Sequence, residues 1–453
     1  MGSWWSVNVG RHAVPVWGKS YVPDELMLLF TDSDYFIDRP RVDALEGLDV
    51  PSEAPEPSTL PKSATWHSRL LGYAVTAGTL RTRLELQGFS SAWVGELSSA
   101  FFDDKEDDWD SPEFWPDGRR SLKDGAAITA ALATRRGQAA GAGVPPDMRS
   151  HPEDHFLYEQ WMSLREAFDD PRFALSLSLS RTRASTLVTL DLTDLVLGGW
   201  LTTDEMPHRD ARSRMSAAVA ASGPVVVITE GASDARWLRR SLEIAAPDVA
   251  HHFEFLDFAG YSAPGGTDRV VSLTKGMAAA GVMNRIVAVL DNDTAGREAA
   301  RQLALLNLPS RLSVVSLPAV SYADQYPTLG PAGPEAADVN GRAASIEFMF
   351  GDDILRDTDD CLFPVRWHSF IESAGQYQGR LDIKHKNEVG NRIDRALSEA
   401  SDAIPDQVLD GCRRLSSMLL AAADPPRHIP ASEGSVLTAM WRRDPFCKLQ
   451  IEN

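Results

Sequence analysis

Residues 224–234 read PVVVITEGASD, and residues 285–296 read RIVAVLDNDTAG. Each is a short, β-branched apolar run that stops at acidic residues and then at glycine. A run apolar at every position belongs in a sheet covered on both faces. Between and after them, helical periodicity over Ser233–Ala245, Asp268–Ala280 and Thr294–Leu306 alternates with strand patterns FEFLDF (253–258) and RLSVVSL (311–317). Strand and helix exchange about every 15 residues, the signature of βαβ units and a mostly parallel sheet.

In an open α/β sheet, ligands bind beyond the carboxyl ends of the strands. The acids stand there: Glu230 follows PVVVIT, and Asp291 and Asp293 follow RIVAVL. Alternate residues leaving a strand point the same way, so the two aspartates can share one ion. Hard carboxylate oxygens in an incompletely filled shell suit Mg²⁺ or Mn²⁺, which keep water and accept phosphate oxygens. Taken singly, a Glu after a strand is usually solvated and Asp-x-Asp before a helix is usually a capping pair. Two such acidic steps on two parallel strands favour catalysis. Gly231 and Gly296 are read as points of close backbone approach.

The 453-residue chain carries a formal charge of −19, with 64 acidic against 45 basic residues. A protein that coats nucleic acid with its whole surface is normally basic. Contact with nucleic acid must therefore be local, through a groove or bridging metal ions. No apolar run approaches the ~20 residues of a membrane span. The first residues lack the basic flank and apolar stretch of a signal peptide, so a cytoplasmic location is expected. Cys361, Cys412 and Cys447 lie far apart, which excludes a zinc ribbon or disulfide framework. Neither GxSxG nor GxxxxGK[ST] occurs.

Upstream, three Pro-, Gly- or acid-rich stretches (49–62, 103–118 and 137–152) separate helical patterns over Ser68–Leu86, Gly125–Arg136 and His155–Phe168. Trp4–Val16 alternates as a hairpin. The pattern predicts a mainly α-helical N-terminal domain with a small β-hairpin (1–220). It also predicts an α/β domain with a parallel sheet of about four strands (221–350) and a helical C-terminal extension (351–453).

Glu-Gly-x-Ser-Asp after one strand and Asp-x-Asp-x-x-Gly after another resemble the Toprim motifs of topoisomerases, bacterial primases and OLD-family nucleases. MGSWWSVNVG, WGKSYVPDELMLLFTDSD and TLRTRLELQGF resemble the start of bacterial HEPN/Toprim N-terminal domain proteins, and YPTLGP, DVNGRAASIEFMFG and YQGRLDIKHK resemble later segments of that family. The Toprim resemblance implies Glu230 as general acid/base or metal ligand, and Asp291 and Asp293 as Mg²⁺ (or Mn²⁺) ligands. The OLD-type resemblance implies that Asp234, one helical turn after Glu230, and Glu347 join the metal site, and that Lys384 stabilises the charge developing on phosphorus; Lys386 is a substitute.

The implied activity is a metal-dependent nuclease acting on DNA or RNA in phage defence, with a protein trigger or ATPase partner; a homo-oligomer is left open. HEPN ribonucleases use Arg, four to six residues, then His. Arg149 with His155 and Arg380 with His385 have that spacing, and two unrelated hits mark it as a chance pattern. A HEPN-type ribonuclease with a regulatory Toprim domain, and a non-catalytic nucleic-acid or nucleotide sensor, are the competing readings. Topoisomerases need a tyrosine-bearing domain and primases zinc-binding cysteines, neither of which is legible here.

Overall fold

The computed structural model describes residues 3–39, 69–104, 122–134, 151–256, 265–331, 333–400 and 403–423. The chain divides into two compact units, Met1–Met215 and Ser216–Asn453. Among the described residues no helix is long and apolar enough to cross a membrane.

The first unit is built on a five-stranded antiparallel sheet, not on a hairpin alone. Its strands are β1 (Trp4–Val9), β2 (His12–Lys19), β3 (Tyr35–Ile37), β4 (Leu71–Thr76) and β5 (Leu187–Asp191), in the order β2-β1-β5-β4-β3. In WWSVNV the period of two sends Trp5, Val7 and Val9 into the core. The helix expected over Ser68–Leu86 is a strand first, because LGYAVT is aromatic and β-branched. Thr76 then caps the helix Ala77–Leu86 by accepting the Thr79 N–H. The helix Pro171–Leu179 runs buried through the core from Phe173 onward. Arg149, half of one HEPN-like spacing, lies outside the described residues. His155, on the helix Pro152–Ala167, pairs its Nε2 with Glu159 one turn on.

The second unit holds the parallel sheet: β6 (Val225–Ile228), β7 (Phe253–Phe255), β8 (Ile286–Leu290), and, after the two-residue strand β9 (Asn292–Asp293), β10 (Leu312–Ser316). The order is β10-β8-β6-β7, every pairing parallel. Strand β8 shows why an all-apolar run was needed. Val287 and Val289 enter a core with Trp237, Leu238, Phe348, Ile393 and Leu415, while Ile286, Ala288 and Leu290 enter another with Val270, Ala299 and Leu303. The chain leaves β6 for β7 on one side, and β8 lies on the other. The crevice between the ends of β6 and β8 is thus a topological switch point.

The region after 350 departs from the helical expectation. It contributes β14 (Val365–Ile371) and β15 (Gln376–Leu381), which follow β11 (Tyr326–Gly330), β12 (Gly333–Ala337) and the short β13 (Ala343–Ala344), in a sheet ordered β12-β11-β14-β15. VRWHSFI and QYQGRL leave mostly polar or partly exposed faces, so no apolar alternation announces them. The expected helices then appear at Ile383–Ser398 and Asp406–Ala422.

One buried polar chain stands out in the first unit. His208 is fully buried, its Nε2 2.7 Å from Asp32 Oδ1 and its Nδ1 2.8 Å from the hydroxyl of buried Tyr73. A carboxylate only accepts, so Nε2–H donates to Asp32 and, in the neutral ring, Nδ1 accepts from Tyr73. Hydrogen bonds from Arg209 and His208 hold exposed Asp32 down at about 2. A depressed carboxyl stabilises above its ordinary range, and that contribution is lost only as pH falls toward 2. His208→Ala leaves the Tyr73 hydroxyl buried without an acceptor, at a cost of about 2–3 kcal/mol. Thermal unfolding of this unit is expected to fall by roughly 4–12 °C; an unchanged melt would mean that the chain of bonds holds nothing.

Candidate functional site

The carboxylates meet at the switch point. Glu230 follows β6 and Asp291 follows β8, adjacent strands whose ends touch: the Asp291 N–H donates to Glu230 Oε1 at 3.0 Å. Glu230 Oε2 accepts the Thr267 hydroxyl at 2.8 Å. Below it, Arg269 donates to the carbonyls of Thr229 and Glu230, bracing the loop. Asp293 caps the helix Thr294–Ala304: its Oδ1 accepts the Gly296 N–H at 2.7 Å, and Gln378 of β15 donates to its Oδ2. Gly296 is obligatory, since a Cβ there would lie 2.2 Å from the Asp291 carbonyl oxygen. Gly231 is not: the nearest atom to a Cβ at that position is 3.3 Å away.

Asp234 and Glu347 add their charges to those acting on Asp291. Asp234, in the first turn of the helix Ala232–Ala245, accepts the Gly231 N–H at 2.8 Å and the Ser233 hydroxyl at 3.3 Å. Glu347 sits on a buried 3₁₀ turn, Ile346–Phe350, and is only 1% exposed. Ser345 donates to its Oε2, and the Lys386 ammonium lies 3.1 Å from its Oε1.

All eight oxygens of Glu230, Asp234, Asp293 and Glu347 therefore have a donor. The Asp291 carboxylate accepts none from the described residues. Burial, and then the charges of Glu230, Asp234, Asp293 and Glu347, push its carboxyl well above the ordinary value. Burial likewise raises Glu230, Asp234 and Asp293. Burial alone would lower the Lys386 ammonium, but Glu347, with Asp291 and Asp234, raises it.

Helix geometry separates the two lysines. Lys384 is exposed on the helix Ile383–Ser398, two positions or roughly 200° from Lys386. Lys386 is the one whose charge reaches the acids. Arg380 lies on β15, and His385 stacks on Phe363 at 4.4 Å, so they form no helical pair of HEPN type. On the helices that follow the two acidic steps, Arg236, Arg240 and Arg301 are paired with Asp394, Glu243 and Glu298. Thr267, Arg269 and Gln378 were missed, because no local pattern marks a residue that acts on a loop 37 to 85 positions away.

The donor chemistry fits a hard divalent cation: oxygen only, with Asp291 accepting no hydrogen bond from the described residues and lying among like charges. Among the described residues, no three acidic, imidazole or thiolate side chains stand close enough to hold one ion. One or two carboxylates with the shell completed by water and phosphate oxygen is the usual arrangement for Mg²⁺.

Residues 1–214 match the family model described as HEPN/Toprim N-terminal domain 1. This stretch is similar to HEPN/Toprim N-terminal domains. The matched stretch ends before Glu230, so the match does not bear on the carboxylates. No curated protein and no solved structure matches the chain.

A carboxyl raised in the fold binds its proton more tightly folded than unfolded, so its contribution to stability declines as pH rises above the ordinary carboxylate range. In chelator, the Ser216–Asn453 unit is expected to melt higher at pH 5 than at pH 8. Asp291→Asn should raise the pH 8 melt by about 2–8 °C and flatten the pH dependence. A variant that melts lower at pH 8 would show that Asp291 is not held under repulsion.

Proposed function

We propose that the protein is a Mg²⁺- or Mn²⁺-dependent nuclease that cleaves phosphodiester bonds in DNA or RNA, with its centre at the β6/β8 crevice. The observation that carries this reading is the Asp291 carboxylate, which accepts no hydrogen bond from the described residues and feels the charges of four other acids. The similarity of the upstream stretch to HEPN/Toprim N-terminal domains supports it. Metal would be held by Asp291 with Glu230 or Asp293 and, in a second position, by Asp234 or Glu347. Such an ion supplies Lewis-acid activation of water and neutralises the leaving oxygen.

The chain's own residues do the rest. Glu230, through the Asp291 N–H, fixes the direction in which Asp291 leaves its strand. Its raised carboxyl suits proton transfer nearer neutral pH than an ordinary glutamate. Lys386 replaces Lys384 as the cation facing the phosphate in the transition state. The net charge of −19 restricts attraction of nucleic acid to this local site. By analogy the role is bacterial phage defence in the cytoplasm, with a protein trigger or ATPase partner.

A sensor that binds metal or nucleotide without cutting is the second reading, favoured by the absence of a three-ligand set among the described residues. A cleavage panel of single- and double-stranded DNA and RNA with Mg²⁺ and with Mn²⁺ separates them. Cleavage that falls by about 100-fold or more in Asp291→Ala is expected for the nuclease. Manganese binding with no cleavage of any substrate would favour the sensor. Within the nuclease reading, Lys386→Ala is expected to slow cleavage by roughly 10²-fold, while Lys384→Ala stays near wild type. The reverse order would return the role to Lys384.

A further inference from the structure

In a chain with 64 acidic residues an exposed arginine readily finds a carboxylate, as Arg236, Arg301, Arg366 and Arg413 do. Arg297, Arg342 and Arg380 do not. All three are exposed, and among the described residues none has an ion pair or a side-chain hydrogen bond. They come from three elements that meet at one turn. The Arg297 guanidinium, from the first turn of the helix Thr294–Ala304, lies against Gly341, where a Cβ would stand 1.8 Å from its Cζ. Gly341 has φ +70°, so both the turn and the guanidinium require glycine. Arg342 follows it, and the Arg342 carbonyl accepts the Gly379 N–H at 3.0 Å. Arg380 follows Gly379 on β15, directly across the hairpin from Arg366. Asp382 neutralises Arg366 and leaves Arg380 bare. The turn is fastened to the acidic crevice: the Gly341 N–H donates to the Asn292 carbonyl at 2.8 Å, and Ala343 pairs with Asp293. Arg380 is two residues from Gln378, so it leaves β15 on the side whose amide holds Asp293.

We infer that Arg297, Arg342 and Arg380 form a phosphate-contacting edge beside the crevice, and that this edge binds the sugar-phosphate backbone of a nucleic-acid strand. Guanidiniums gathered without an acid repel one another, and an external anion relieves that repulsion. The acid nearest along the chain does not draw them inward, because both Asp293 oxygens are filled by the Gly296 N–H and the Gln378 amide. Each guanidinium presents a planar fork of donors that matches two phosphate oxygens. Exposed side chains do not enclose a small anion, whereas a repeating anion engages all three together and gains from their proximity. The net charge of −19 repels a polyanion over the rest of the surface, which confines contact to such an edge. The inference rests on the nuclease reading for the identity of the anion alone; binding through these arginines needs no metal.

The test is fluorescence-anisotropy binding of the full chain to labelled single-stranded DNA and RNA oligonucleotides, in chelator, over a range of salt. One variant carries Arg297→Gln, Arg342→Gln and Arg380→Gln together. A control with the same loss of charge carries Arg236→Gln, Arg301→Gln and Arg413→Gln. The first is expected to bind on the order of 100-fold more weakly at about 0.1 M salt. Its slope of log affinity against log salt should be shallower by about 2, as the loss of three single-strand phosphate contacts requires. The control should stay near wild type in both. Lysine at the same three positions should recover the slope but not the full affinity, because charge is kept and the fork is lost; an unfolded chain would recover neither. A loss no greater than the control's, or no binding of either strand by the wild type, overturns the inference. Displacement of the strand by inorganic phosphate or ATP at matched phosphate concentration also overturns it, in favour of a small-anion site. Cleavage with Mn²⁺ is read separately. A wild type that binds but cuts nothing removes the nuclease reading and leaves this edge standing. A triple glutamine variant that binds and cuts like wild type overturns the edge and leaves the nuclease.

Discussion

Like charges do not gather without a reason, and the second unit gathers Glu230, Asp234, Asp291, Asp293 and Glu347 into one crevice. The surrounding fold acts as a restraint on that repulsion. Each acid except Asp291 is fastened by a fixed donor or, for Glu347, also by Lys386. A hydrogen bond to a charged group contributes roughly 1.5–3 kcal/mol, enough to hold a side chain in place but not to neutralise a cluster. The imbalance is therefore concentrated on Asp291, at the point where the sheet changes direction.

Much of this was legible because it is local. Two acid-terminated apolar runs, separated by helical periodicity, placed Glu230, Asp291 and Asp293 at the ends of parallel strands, and β6 and β8 are neighbours. The bland alternative was true as well: Asp293 is a helix cap, and Asp234 holds the Gly231 N–H. Capping and membership of the cluster use the same carboxylates, so the two readings never competed physically.

What stayed hidden depends on distance along the chain or on which way a helix is turned. Lys384 and Lys386 cannot be told apart in LDIKHK without knowing which side of the helix faces Glu347. Strands β14 and β15 were missed because their outer faces are polar, and β3 to β5 because short strands amid helical patterns carry too few residues for a period of two to show. The His208–Asp32–Tyr73 chain joins residues up to 176 positions apart, beyond any window of pattern reading.

The grip of Gln378 has a consequence for dissecting the molecule. Its amide carbonyl accepts the Ala295 N–H while its NH₂ holds Asp293, and the neighbouring Tyr377 carbonyl accepts the Thr294 hydroxyl. Strand β15 is thus stitched to the start of the helix that bears the second acidic step. A fragment trimmed at the end of the βαβ pattern, near residue 317, would contain Glu230, Asp291 and Asp293, yet it would free one edge of that loop and remove both Glu347 and Lys386. The smallest piece that preserves the crevice therefore extends through the hairpin to the helix Ile383–Ser398.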